Sequence, residues 1–228
     1  LSMGWTEFGG YRADPITRGD PYGEARRKNL LGRVSHPLAG GDLRLSFDVL
    51  DLDSENPGSL TREQVMEEGD IANPFNVLQK TGKAIKQGQL GLSWSGPVPG
   101  GEGMLAGFGI LRNVDNPIPP AIVDLDRLAG GLRGSLSGEN DGGDLALRWE
   151  AGTEMGIQED KRRNFRNEQG APGEAILDQE ETVLSFGVFV QGLLHHVSGA
   201  TLLSAIRYHR TSFEAKDFFQ GPEDPDDS

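Results

Sequence analysis

Apolar and polar residues alternate one by one in five stretches of this chain. Leu43, Leu45, Phe47 and Val49 interleave with Arg44, Ser46 and Asp48. Leu90, Leu92 and Trp94 interleave with Gln89, Gly91 and Ser93. Leu145, Leu147, Trp149 and Ala151 share one phase, and Arg148, Glu150 and Glu154 the other. Leu184, Phe186, Val188 and Val190 stand against Ser185, Gly187 and Gln191, and Leu202, Ile206 and Tyr208 against Thr201, Arg207 and His209. A period of two sends successive side chains to opposite faces of an extended chain. Each stretch therefore predicts a β-strand with one apolar and one polar face. Four further segments, Met3 to Arg12, Arg26 to His36, Met104 to Arg112 and Arg127 to Ser137, carry a weaker pattern. They read as strands because the same punctuation bounds them, which brings the expected number to nine.

That punctuation has its own order. Short Gly-rich turns fall at His36 to Asp42, Ser95 to Gly103, Ser137 to Asp144 and His195 to Ala200. Between them lie long polar stretches, read as loops, at Ala13 to Ala25, Asp53 to Lys83, Asn113 to Asp126 and Ile157 to Glu181. Short and long connections alternate without exception, so every long loop falls at one end of an all-β, antiparallel up-and-down meander. A soluble sandwich would also show alternating faces, one to the core and one to water. It has no reason to gather its long loops at one end, whereas a bacterial outer-membrane β-barrel is built that way. In that reading the apolar phase faces lipid, and Arg44, Asp48, Arg148, Glu150 and Arg207 face a wet lumen. Trp94 and Trp149, near short turns, and Tyr208, beside a long loop, are candidates for interfacial aromatics. Within the longest loop, Thr61 and Gln64 have the spacing of a capping box, and Gly69 is placed to end a short helix.

Composition agrees with a barrel and narrows the chemistry. Across 228 residues there are 22 Lys+Arg against 35 Asp+Glu, a net charge of -13. Nucleic-acid binding, which needs a basic face, is disfavoured. Apolar residues make up only 36% while Gly reaches 33 residues, and the alternation argues against reading this as disorder. The absence of Cys removes any disulfide or thiolate chemistry. The N-terminus does not read as a signal peptide, and no run approaches the roughly 20 apolar residues of a spanning helix. Barrel strands need only about 9–11 residues each.

Several motifs, taken in order, resemble the barrel of TonB-dependent outer-membrane receptors of the ferric-siderophore and ferric-citrate type. They are Gly9 to Arg12 (GGYR); Asn56 to Gln64 (NPGSLTREQ) with Asn73-Pro74 and Thr81-Gly82-Lys83; Asp115 to Pro119 (DNPIP) with Asp124 to Gly131 (DLDRLAGG); Gln158 to Asn164 with Asn167; Leu177 to Glu181 (LDQEE); and Phe189 to Gln191 with Ile206 to Arg210 (IRYHR). His209 departs from the acidic residue usual in the last motif. The resemblance implies a location in the bacterial outer membrane and active import of a scarce ligand, such as a ferric chelate. It implies a TonB complex as energy partner, through a plug segment, and contact with outer-membrane lipid and lipopolysaccharide. Receptors of this type have about 22 strands and a plugged lumen. Residues 1–228 are accordingly expected to be part of the barrel, with the plug and the C-terminal strands lying elsewhere. A passive porin or adhesin barrel and a soluble, secreted carbohydrate-binding β-protein are the competing readings.

Candidate chemistry is sparse. Lys161, Arg162, Arg163 and Arg166 form one basic cluster in an expected external loop. They could capture an anionic ligand or lipopolysaccharide phosphate, or be a solvated run paired with Glu159, Asp160 and Glu168; the second is favoured. Thr17 to Asp20 contains an Arg-Gly-Asp tripeptide that suits a turn. His195-His196 lacks a third ligand. Asp51, Asp53 and Glu55 have calcium-like spacing without the rest of a loop motif, and Glu223, Asp224, Asp226 and Asp227 read as a plain acidic loop. The Gly-rich stretch at Gly100 lacks the Lys-Ser/Thr of a phosphate loop. No catalytic constellation is present in the sequence, no cofactor is implied, and the expected function is transport rather than catalysis.

Overall fold

The computed structural model describes residues 1–17 and 19–219. It contains nine strands in one antiparallel sheet, ordered as in the sequence: β1 (Ser2–Ala13), β2 (Pro21–Leu38), β3 (Gly41–Glu55), β4 (Gly82–Val98), β5 (Gly101–Pro117), β6 (Ala121–Asp141), β7 (Leu145–Glu168), β8 (Ala171–His196) and β9 (Thr201–Asp217). All nine expected strands are present, and each pairs with its sequence neighbours. Two short helices, α1 (Arg62–Glu68) and α2 (Pro74–Leu78), interrupt the β3–β4 connection.

At one end the connections are tight, as the Gly-rich punctuation predicts. Ala39 and Gly40 join β2 to β3 with both φ angles positive, at 52° and 76°. This is the backbone of a two-residue hairpin turn whose twist matches the flanking strands. The opposite end departs from the sequence reading. Two of its four expected long loops are strand. Only 118–120 separate β5 from β6, and only Gln169 and Gly170, with φ of 56° and 87°, separate β7 from β8. The stretches 113–126 and 157–181 carry no sustained apolar alternation, only Val123-Asp124-Leu125-Asp126, yet their backbones pair in register through Asn113↔Asp126 and Lys161↔Glu180. Between β7 and β8 mainly charged and polar partners face each other on both sides of the ribbon, whereas between β5 and β6 Val114 faces Leu125 on one side and Asp115 faces Asp124 on the other. Cross-strand pairing stabilises both extensions, and the β5–β6 extension also buries Ala121 and Ile122.

The sheet is a single layer. Among the described residues the buried apolar side chains are Tyr22, Ala72, Val77, Ala121 and Ile122, all at the end with the longer connections. Nothing comparable lies on either face of the sheet's middle. There Leu90, Leu105, Leu132, Met155 and Leu184 are each half-exposed or more, Leu132 at 55%. A soluble sheet of this size would bury one face; this one leaves its apolar face open.

The small core at the far end comes from the β3–β4 connection folding over the strand ends. Thr61 and Gln64 form the expected reciprocal capping box at the start of α1, and Gly69 is its C-cap. Helix α2 was not anticipated, although Asn73-Pro74 holds its signal. Asn73 Oδ1 accepts from the Phe75 and Asn76 amides, and Pro74 occupies the first turn, where no amide partner is needed. Arg12 donates to the carbonyls of Gly69 and Ile71, at 3.1 and 3.2 Å, and Asn76 Nδ2 donates to the buried Thr81 hydroxyl at 2.9 Å. Asn167 on β7 donates to the carbonyls of both Gln79 and Ile118 at 2.9 Å. The excursion is thereby tied to β1 and β7, and β7 to the β5–β6 turn.

Candidate functional site

Register converts the alternation into surfaces. Leu45, Leu92, Gly107, Leu132, Met155 and Phe186 lie side by side across β3 to β8. The next row on the same face is Phe47, Leu90, Gly109, Gly130, Ile157 and Leu184. A third holds Val49, Leu111 and Leu128. Towards the tight turns the belt continues through Leu136, Ala151, Val190 and Ile206, then Leu147, Leu194 and Leu202. Its near-turn edge is Leu43 on β3 but Leu145 on β7, so the belt is staggered across the register.

The belt ends abruptly in charge at the far end. One row above it reads Lys28, Asp51, Lys86, Asn113, Asp126, Lys161, Glu180 and Lys216. The row beyond that reads Glu7, Arg26, Asp53, Ala84, Asp115, Asp124, Arg163 and Asp178. Opposite signs alternate along much of these rows, the favourable arrangement for directly facing strand residues. Asp115 and Asp124 break the rule as facing acids, and Asp115 is held above its ordinary pKa by partial burial and then by Asp124.

The opposite face is polar and internally bonded. Arg127 makes a two-pronged contact with Asp160, at 2.7 and 2.6 Å, and Gln158 Nε2 also donates to Asp160 at 3.1 Å. Asp160 is only 3% exposed, so this pairing is what allows its charge to be buried. Arg112 donates to Gln87 at 2.6 Å, while Glu154 takes Arg207 as partner and lies 3.8 Å from His209. Towards β2 and β3 the face holds an open recess of about 630 Å³, edged by Arg33, Arg44, Arg133, Ser35, Ser46 and Ser93. Glu154 lines it as well, with Leu45, Leu92, Phe108 and Leu132, so the recess is mixed in charge and partly apolar. The recess was not recognised in the sequence, because its arginines come from β2, β3 and β6 and only the register brings them together.

The cleft under the α1–α2 excursion mixes charges. It measures about 510 Å³ and is lined by Asp14, Asp53, Glu55, Asp115, Lys80 and Lys83, with Tyr22 at its wall. Burial pushes the Tyr22 hydroxyl up to about 12, and the fields of Glu55 and Asp14 act in the same direction. Its hydroxyl stays protonated at neutral pH.

The basic cluster expected in a loop lies on strand β7 instead. Lys161 pairs with Glu180 at 3.3 Å, Arg163 with Asp124 at 2.8 Å, and Arg166 with Glu174 at 3.4 Å. Arg162 makes no ion pair among the described residues and lies on the polar face. Partners on adjacent strands, rather than the Glu159, Asp160 and Glu168 close by in sequence, neutralise the other three. Tyr208 is mid-strand in β9 and not beside a long loop. His195 and His196 sit at the β8–β9 turn, bonded to Thr201 and Ser198 hydroxyls at 3.0 and 2.7 Å. Glu55 accepts from the Gly23 and Glu24 amides at 2.9 and 3.1 Å, a structural use. Arg18 of the Arg-Gly-Asp tripeptide and Glu223, Asp224, Asp226 and Asp227 lie outside the described residues.

Compared with known proteins, the sequence matches no family model and no curated protein. Solved structures do match in fold. The ferric citrate transporter FecA, in its unliganded form, superposes with a TM-score of 0.63 over 85% of this chain at 11% identity. The ferric yersiniabactin uptake receptor FyuA from Yersinia pestis gives a TM-score of 0.53 over 93% of this chain at 9% identity. The chain spans 34% and 37% of those proteins, about a third of their length. At this identity the likeness is one of fold alone, an all-β antiparallel meander.

Proposed function

We propose that this chain is a section of the wall of an outer-membrane barrel receptor that imports a scarce ferric chelate with energy relayed by TonB. One observation carries the reading. A single-layer sheet exposes an apolar belt on one face and a bonded polar network on the other, and its flanking strands β1 and β9 each have one unpaired edge among the described residues. Lipid suits the first face and a wet lumen the second. Edges in a membrane must be closed by further strands, and the plug would fill the lumen so formed. The ferric ligand and the TonB partner come to this chain from the sequence motifs, and the fold likeness to FecA and FyuA supports the same direction. Within the basic cluster of β7, Arg162 is the residue assigned to ligand, since Lys161, Arg163 and Arg166 already have carboxylate partners.

The test is uptake of radiolabelled ferric citrate and ferric siderophores by cells carrying the whole gene, with and without TonB. Import that disappears on deleting either the gene or TonB is expected. Import that survives both deletions contradicts the proposal, and entry that needs the gene but not TonB would make it a passive barrel.

A further inference from the structure

One part of the polar face is apolar. At the end with the longer connections, level with the charged rows of the opposite face, the register sets Leu52, Ile85, Val114 and Leu125 side by side across β3 to β6. Arg162 follows on β7 in the same row. At the usual strand spacing the apolar line is about 14 Å long. Its four side chains and Arg162 are half-buried. Lipid does not account for the line, because it lies on the face opposite the belt.

The line crosses a cationic block. On this face, between Lys83 and Gln89 of β4 and their partners out to β7, the cations are Lys83, Arg112, Arg127 and Arg162, and the one acid is Asp160. At the same levels the flanking strands β3 and β8 add the acids Asp48 and Glu181 and no cation, so four cations still stand against three acids. Asp115, Asp124 and Asp126 belong to the opposite face. Existing bonds sharpen the imbalance. Asp160 is held by Arg127 and Gln158, and Glu181 accepts from Gln179. Arg112 donates to the neutral Gln87, and neither Arg112 nor Arg162 forms an ion pair among the described residues. Arg112 also faces Arg127 directly across the β5–β6 pair. Like charges so placed repel, and an anion seated beside Arg112 offsets that repulsion.

Guanidinium forks suit carboxylates, and the line beside them suits an aryl or alkyl body. We infer that this block binds the transported chelate, and that the chelate is an anion with an apolar body. Its carboxylate lies at Arg112 and Arg162, and its body on Ile85, Val114 and Leu125. The inference rests on the receptor reading and narrows its substrate class, away from a compact, wholly polar chelate such as ferric citrate.

The whole protein in detergent, dialysed to equilibrium against radiolabelled iron in three complexes, tests this. The probes are ferric citrate, the ferric complex of citrate carrying one benzyl amide, and neutral ferric benzohydroxamate. The benzylamide complex should bind roughly tenfold more tightly than ferric citrate, the worth of one buried aromatic group. R112Q/R162Q should weaken both citrate complexes by about tenfold or more and leave benzohydroxamate binding unchanged. Val114→Ser with Leu125→Ser should erase the advantage of the benzylamide and leave ferric citrate binding unchanged, which also shows the variant to be folded. Wild-type protein that binds ferric citrate as tightly as the benzylamide complex overturns the inference. Benzylamide binding undiminished in R112Q/R162Q overturns it too, and would leave the block as a seat for the plug. Binding of none of the three complexes also overturns it. The receptor reading fails separately, in cells whose iron import does not depend on the gene.

Discussion

Strands β7 and β8 are each divided into two regions that obey different rules. From Leu145 to Ile157, and on the partner from Leu184 to His196, one face is apolar and the other polar. From Gln158 to Glu168, and from Ala171 to Val183, both faces carry mainly charged and polar side chains, yet the pairing runs on with one bulged segment near Phe165. Backbone hydrogen bonding is common to both regions. What differs is the side chains. Alternation marks a strand whose two faces are chemically unlike, and where both faces are polar it disappears although the strand does not.

Breaking the buried ion pair near the junction of the two regions should have the largest effect. Arg127→Met leaves Asp160 buried without its two-pronged partner, and destabilisation of about 3–5 kcal/mol is expected in urea unfolding of the reconstituted protein. The double variant Arg127→Met with Asp160→Leu should recover most of that loss. Next come charges placed on the belt. Phe186→Arg should cost about 2–4 kcal/mol if that position is deep in the bilayer, whereas Asn113→Arg, on the same face but beyond the belt, should cost about 0–1 kcal/mol. Equal costs would erase the distinction between the regions. A smaller and more local change is expected from Thr61→Ala, which removes the cap of α1 at about 1 kcal/mol. Hydrogen exchange should quicken in residues 61–69 and stay unchanged in the belt.

The smallest effect concerns the outer region alone. Asp115 lies beyond the belt and has a raised folded-state pKa. For an acid this sign means the folded state holds its proton longer than the unfolded chain does. Stability is therefore greatest below the ordinary value of 3.8 and declines as pH rises through the raised one. Asp115→Asn should remove that decline and raise the melting temperature slightly at neutral pH, most clearly at low salt.

The belt was legible in the sequence for the same reason that the outer hairpins were not. Leu43 to Val49 and Leu184 to Val190 announce their strands because apolar and polar side chains are sorted to opposite faces. Residues 113–126 and 157–181 look like loops because little that is apolar marks their pairing beyond Val114 and Leu125, and the cue that remained, facing charges such as Lys161 and Glu180, can be read only once the register is known. The cap of α1 was readable from Thr61 and Gln64 because its interactions are local. The arginine–serine recess was not, because Arg33, Arg44 and Arg133 are neighbours only through cross-strand pairing. Local contacts survive in a linear reading; contacts made by register do not.

The central claim, that the two faces of the belt meet different solvents, is open to one direct measurement. The chain contains no Cys of its own, so single spin-labelled cysteines can be placed at 184–190 and at 158, 159 and 161–163 in vesicles. Relaxation by oxygen, which concentrates in lipid, is then compared with relaxation by a water-soluble nickel chelate. The account predicts a period-two alternation at 184–190, with Leu184, Phe186, Val188 and Val190 favouring oxygen and Ser185, Gly187 and Phe189 the chelate. At 158, 159 and 161–163 the chelate should win at every position, Asp160 being left in its buried pair with Arg127. Chelate access to Phe186 and Val188 equal to that at Ser185 and Gly187 would contradict it.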